Sequence, residues 1–129
     1  YSADGNYLTS QTDENGNTVQ YTYDLASGLL QLLTDANGNE TEYTYNALRE
    51  LQAVHMDVSG LTNGSGMDAS YTYTQGRLTS LTYGTFEYVF TYDIWGNVLS
   101  VTMNGKSLVT YDYGDEAYKG QVSTMTYGN

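Results

Sequence analysis

The segments DENGNT (13–18) and DANGNE (35–40) put carboxylates, amides and hydroxyls at alternate positions, as a Ca2+ loop presents its oxygens. Both lack the distant Glu that completes such a loop. The Asn-Gly they share is also the strongest short-range signal for a tight hairpin turn. No cofactor or metal is expected; Ca2+ alone stays open. Paired carboxylates about 5–10 Å apart can run glycoside hydrolysis, but 15 acids supply such pairs by chance. His55 is the only histidine. As a general base it needs a positioned partner; nothing near it in sequence supplies one, and it reads as a plain strand residue. There is no nucleophile elbow, Ser-His-Asp set or phosphate-cradling glycine loop, so no catalytic residue is assigned and no enzyme is expected. Trp95, in DIWGN, is the remaining candidate. With a nearby tyrosine such as Tyr88 it could stack on a sugar ring; the commoner role is a turn residue packed on the next hairpin.

Composition narrows the partners. The chain has 129 residues, 15 Tyr, 14 Gly, no Pro and no Cys. Fifteen acids against four bases (Arg49, Arg77, Lys106, Lys119) leave a formal charge of −11. That excess repels phosphate backbones and anionic lipid, so neither nucleic acid nor membrane is an expected partner. Cations and neutral sugars stay open. Without Cys there are no disulfide staples or thiolate metal sites. No run approaches the roughly 18 apolar residues of a membrane span. Tyr1 is not a start Met, which suggests an interior piece of something longer.

The elements that position these residues follow from an internal repeat. The Tyr of YTYD and its variants falls at Tyr1, Tyr23, Tyr45, Tyr73, Tyr92 and Tyr111, a period of about twenty residues with one insertion. After each anchor comes a short turn, in which Asp24, Asp93 or Asp112 can close an Asx turn. An alternating run follows (LLQLLT, RLTSLT), then a second turn, then a returning run (TVQYTY, ETEYTY, FEYVFTY). Asn15-Gly16, Asn37-Gly38 and Asn104-Gly105 fit type I′ turns, whose two central residues need positive φ. Gly96 marks the turn after Tyr92. NALRELQAVHM (46–56) has helix-forming residues, but the repeat register makes it strand, with Glu50 at the place of Gly28 and a different turn geometry. Residues 58–68 read as a long loop, and 113–120 as a second extension.

Alternation assigns the faces. Val19-Tyr21-Tyr23, Tyr43-Tyr45, Tyr71-Tyr73, Tyr88-Phe90-Tyr92 and Val109-Tyr111 share one face, which would line tyrosines across the sheet; the Thr, Glu and Gln face is wetter. The expected fold is all-β: about eleven strands in consecutive antiparallel hairpins forming one twisted or curled sheet over 1–129. Its outermost strands would be edges open to self-association.

YDIWGNV (92–98), YTQGRL (73–78) and TYTYDLASGLL resemble the YD repeat, also called the RHS repeat, with a consensus near Tyr-Asp-x-x-Gly-Arg-Leu. The resemblance covers nearly the whole chain in about six copies. Asp is replaced by Ser2, Asn46 or Thr74 in three copies, and the consensus Arg survives only at Arg77. The resemblance implies a segment of a spiralling β-sheet shell, as in bacterial polymorphic toxins, wall-associated proteins and teneurins. It implies scaffold rather than enzyme, secretion or a bacterial cell surface, and the parent's neighbouring repeats as partners. It makes Tyr23, Tyr45, Tyr73, Tyr92, Tyr111, Gly16, Gly38, Gly96 and Gly105 structural. The Pro-rich self-cleaving segment of the toxin branch has no counterpart in a chain without Pro. The alternative is a carbohydrate-binding surface module using Trp95 and Tyr88 on a glycan.

Overall fold

The structure, a computed structural model, describes residues 1–57 and 66–128. It divides into two compact units, Tyr1–Ala69 and Ser70–Asn129. The first holds β1 (Ser10–Thr12), β2 (Thr18–Asp24), β3 (Leu29–Thr34), β4 (Glu40–Tyr45), β5 (Leu51–Asp57) and the start of β6 (Met67–Thr74). From β2 to β5 each strand pairs antiparallel with its predecessor. The second holds the rest of β6, then β7 (Arg77–Tyr83), β8 (Phe86–Tyr92), β9 (Val98–Met103), β10 (Lys106–Asp112) and β11 (Thr124–Tyr127). From β8 onward the same succession holds. The protein is thus all-β, with eleven strands in consecutive antiparallel hairpins. Residues 46–50 form the turn and Leu51–Asp57 the strand expected from the repeat register. A 3-10 helix, Gly114–Lys119, fills the extension at 113–120. Of the long loop expected at 58–68, residues 58–65 lie outside the described residues, and Met67 and Asp68 already belong to β6.

Among the described residues no apolar side chain is fully buried, and Thr41 alone counts as buried. The alternation still holds. Tyr21, Tyr23, Tyr43, Tyr45, Tyr71, Tyr73, Tyr88 and Tyr92 are half-buried, while Gln20, Thr22, Glu42, Thr44, Thr72 and Thr91 are exposed. Half-buried side chains like these are shielded chiefly by neighbours on the same face, so cross-strand pairs carry the stabilisation.

Three of the hairpins carry one extra residue after the anchor turn. Thr22 faces Leu32 but Tyr23 faces Leu30, so Gln31 bulges. By the same shift Gln52 bulges opposite Thr44 and Tyr45, and Leu99 opposite Thr91 and Tyr92. In each case the bulge follows the anchor turn, where it re-aims the chain. A further bulge at Leu108 shifts β10 against β9.

The turns correct part of the expectation. Of the three expected, only Asn104-Gly105 is type I′, with φ of 48° and 75°. At 13–17 and 35–39 the glycine alone has positive φ (Gly16 86°, Gly38 81°), and Asn15 and Asn37 do not. There the loop is held by its acid. Asp13 Oδ1 accepts from the amides of Asn15 (2.8 Å) and Asn17 (2.9 Å), and Oδ2 from the Asn17 side chain (2.7 Å). Asp35 repeats this with Asn37 and Asn39. A carboxylate that caps the loop removes the need for a second left-handed residue. A type I′ turn that was not expected stands at Gln75-Gly76, with φ of 52° and 73°.

Candidate functional site

The anchor tyrosines do more than fill a face. Tyr45 donates its hydroxyl to the Leu30 carbonyl (2.9 Å), and Tyr92 donates to Leu78 (2.6 Å). The β3–β4 ladder stops at Leu32 and the β7–β8 ladder at Ser80, so each carbonyl lies beyond the strand pairing. The hydroxyl replaces the missing ladder bond, which a carbonyl partly shielded from water needs. In the last repeat Tyr113, not Tyr111, donates to the Val98 carbonyl (2.8 Å). Tyr111 stays on the half-buried face opposite Met125. Tyr23 stacks on Tyr7 with ring centroids 5.0 Å apart. Partial burial pushes the Tyr45 and Tyr113 phenols up, keeping them as donors; Tyr43 adds to the first and the Asp93 carboxylate to the second.

The anchor-side turns share one plan. Asp24, Asp93 and Asp112 each accept the amide two residues on, from Ala26, Trp95 and Gly114. At Asp93 the scheme is complete: Oδ1 takes the amides of Trp95 and Asn97, both at 2.9 Å, and Oδ2 takes the Asn97 side chain at 2.8 Å. Withdrawal from water would raise this carboxyl, but these donors outweigh it and the net shift is downward. At 46–50 the roles invert. Asn46 Oδ1 accepts from the Leu48 and Glu50 amides, and the Asn46 side chain donates to Glu50 at 2.6 Å. Arg49 takes the glycine's place with φ of 66°. The Glu50 turn therefore differs from the Gly28 turn, as the register required.

Beside the Asp93 turn lies a groove of about 820 Å³, lined among others by Gln75, Arg77, Phe90, Tyr92 and Trp95. Trp95 is 55% exposed, and Ile94 next to it 85%. The Arg77 guanidinium lies 6.0 Å from the centroid of the Tyr92 ring. It also packs on Gly96, where an added Cβ would come within 2.6 Å of it. Tyr88 does not line this groove; it stands in β8 between Leu81 and Met103. The tyrosine beside Trp95 is Tyr92.

His55 has a partner that the sequence did not reveal. Its Nδ1 lies 2.5 Å from Asp68 Oδ1 of β6, and Glu42 faces it across the β4–β5 ladder. Reading 58–68 as loop hid Asp68. Both groups stand in the open, and among the described residues no nucleophile is bonded to the imidazole. Gly66 makes the approach possible, since a Cβ there would lie 2.6 Å from the His55 ring. Ca2+ gains no support at Asp13 and Asp35, whose carboxylate oxygens are already engaged by their own loops. Among the described residues no cluster of three His, Cys, Asp or Glu could hold a metal ion.

The RHS Repeat family model matches residues 1–26. No curated protein matches the chain. Three similar solved structures are each 20% identical over the matched region. The TcdB2–TccC3–Cdc42 complex matches with a TM-score of 0.41, covering 85% of this chain and 7% of that one. The TcdB2–TccC3 complex matches at 0.39 (78% and 7%), and the Photorhabdus luminescens Tc holotoxin pore with a TccC3 substitution at 0.38 (78% and 6%). The chain thus spans less than a tenth of the length of these structures' chains.

Proposed function

From the RHS repeat carried at residues 1–26, we propose that this chain is a non-enzymatic scaffold segment of a larger secreted or cell-surface repeat protein, part of the wall of a toxin-type or wall-associated shell. Its partners are the neighbouring repeats of that protein. The observation that carries this reading is the hairpin unit itself. The turns after Tyr23, Tyr45 and Tyr92 are each held by an Asp or Asn side chain and each followed by one bulged residue, and Tyr45 and Tyr92 are tied by their hydroxyls to a carbonyl 15 or 14 residues back. No apolar residue among those described is fully buried within the chain. Such a unit gains its stability from the next one, as in repeat arrays generally. The outermost strands, β1 and β11, are exposed along their length, and adding strands there would extend the sheet.

Two experiments test the proposal. Urea denaturation of this chain is compared with a longer one carrying a further copy of residues 72–98 after Tyr127. A scaffold array predicts that the midpoint and the slope both rise; an unchanged midpoint would contradict it. An antibody raised against this chain, applied to fractions of the source culture, should find the parent protein in the medium or on the cell surface. Its confinement to the cytosol would refute the localisation.

A further inference from the structure

The groove beside Trp95 differs from its repeat counterpart at the positions that could bind a ligand. The counterpart, about 350 Å³, lies in the first unit between the Asp24 and Asn46 turns. There Arg49 faces an acid: it acts electrostatically on Asp24, the residue after anchor Tyr23. In the larger groove the residue after anchor Tyr73 is Thr74, so the acid is gone. Among the described residues Arg77 makes no ion pair, in a chain where acids outnumber bases 15 to 4. The guanidinium is still held in place, over Tyr92 and against Gly96. A cation fixed by an aromatic face and left without an anion is prepared for one.

One more departure falls at the same groove. The Asp93 turn makes the same bonds as the turns at Asp13 and Asp35, within about 0.2 Å. Those turns carry Glu14-Asn15 and Ala36-Asn37 where this one carries Ile94-Trp95. The turn itself therefore asks for no aromatic, yet Trp95 stands half-exposed on the groove. Gln75, on the opposite side, lines the groove from its type I′ turn. A repeat that breaks its own pattern at two positions of one groove, Thr74 and Trp95, points to a role beyond folding.

We propose that this groove binds a carboxylate-bearing pyranose, a uronic or sialic acid. The carboxylate pairs with the Arg77 fork, the sugar ring lies on Trp95, and the Gln75 amide and Thr74 hydroxyl meet ring hydroxyls. A cationic ligand is disfavoured by the guanidinium. A purely neutral sugar leaves Arg77 without an anion, and Asp93 cannot serve as acceptor because both its oxygens are engaged. The net charge of −11 opposes any anion at long range. At physiological salt that repulsion is screened beyond about 8 Å, so the local donors decide. This inference does not depend on the scaffold reading.

The test titrates the full chain with sodium glucuronate at physiological salt, following the fluorescence of Trp95, the only tryptophan. The expected result is a saturable change with a Kd of about 1 mM, at least tenfold weaker for glucose and for acetate. Thr74→Asp puts an acid beside Arg77 at the position after the anchor tyrosine that Asp24 holds in the counterpart. It should abolish the glucuronate response with an unchanged circular dichroism spectrum. Arg77→Lys keeps the charge but loses the fork and should weaken binding about tenfold. No saturable change up to about 50 mM glucuronate would overturn the proposal. So would glucose or acetate acting as strongly as glucuronate, or a response that Thr74→Asp leaves intact.

Discussion

The Tyr92 hydroxyl donates to the Leu78 carbonyl at 2.6 Å, and Tyr45 makes the same bond to Leu30 one hairpin pair earlier. These two anchor tyrosines are thus hydrogen-bonding groups as well as apolar surface. They satisfy carbonyls that lie past the end of the strand pairing. At Tyr45 and Tyr92 a Phe would fill the same surface but leave that carbonyl without this donor.

Tyr92→Phe removes one hydroxyl and leaves the ring. It should lower stability by about 1 kcal/mol, more if the Leu78 carbonyl finds no water. Tyr45→Phe should behave alike. Tyr88→Phe, at a half-buried tyrosine with no such bond, should change stability by less than about 0.5 kcal/mol. Urea denaturation of the three variants checks this; equal losses at all three positions would sink the hydroxyl's role.

The turn acids predict the behaviour at low pH. Asn17 and Asn39 side chains, then their amides, hold the Asp13 and Asp35 carboxyls below the usual carboxylate range. A carboxyl lowered in the folded state stabilises it fully above the unfolded pKa of about 3.9 and loses that contribution as pH falls through the lower folded value. Stability should therefore be flat above about pH 5 on this account and fall below about pH 4. Asp13→Asn with Asp35→Asn should flatten that acid limb. A limb of unchanged steepness in the double variant would contradict the assignment.

His55 gives the opposite sign. Its hydrogen bond to Asp68 raises the imidazole pKa, opposed by desolvation and aided by the charges of Asp68, Glu42 and Asp57. The contribution is fully present below about 6.5, the unfolded value, and is lost as pH rises through the higher folded one. With a single histidine the ring proton titration is unambiguous in an NMR spectrum. Asp68→Asn should lower the midpoint toward about 6.5; a midpoint that does not move would remove Asp68 as the cause.

Gly16 and Gly96 separate backbone strain from crowding. Both have positive φ, 86° and 95°. An added Cβ at Gly16 meets nothing within 4 Å, whereas at Gly96 it meets Arg77. Gly16→Ala should cost about 1 kcal/mol, the strain alone. Gly96→Ala should cost more and quench or shift Trp95 fluorescence as Arg77 is displaced. Equal stability losses with no spectral change would show that Arg77 does not rest there.

Much of this was legible in the chain. The period, the alternation of Tyr21-Tyr23 against Gln20-Thr22, and the Asx acids at 24, 93 and 112 depend on neighbours in sequence, and such signals survive without coordinates. The bulges at Gln31, Gln52 and Leu99 were not legible, because an extra residue is fixed by what faces it across the ladder. The exchange of Tyr111 for Tyr113 follows the same logic: which hydroxyl reaches Val98 is a matter of register. Asn15-Gly16 and Asn104-Gly105 share a dipeptide but not a turn, since Asp13 caps the first loop and the Asn104 side chain instead accepts the Glu87 amide across the strand pair. In the groove, Trp95 stood out by type. Arg77 and Gln75 needed the structure, because a missing acid partner and a left-handed φ cannot be read from residue names.

The central claim is that these hairpins hold each other in succession rather than around one core. Native-state hydrogen exchange of the full chain tests it most directly. The account predicts graded protection, highest for ladder amides of β3, β4, β8 and β9 and falling stepwise to β1 and β11. A single protection level shared by all eleven strands, lost in one global opening, would contradict it.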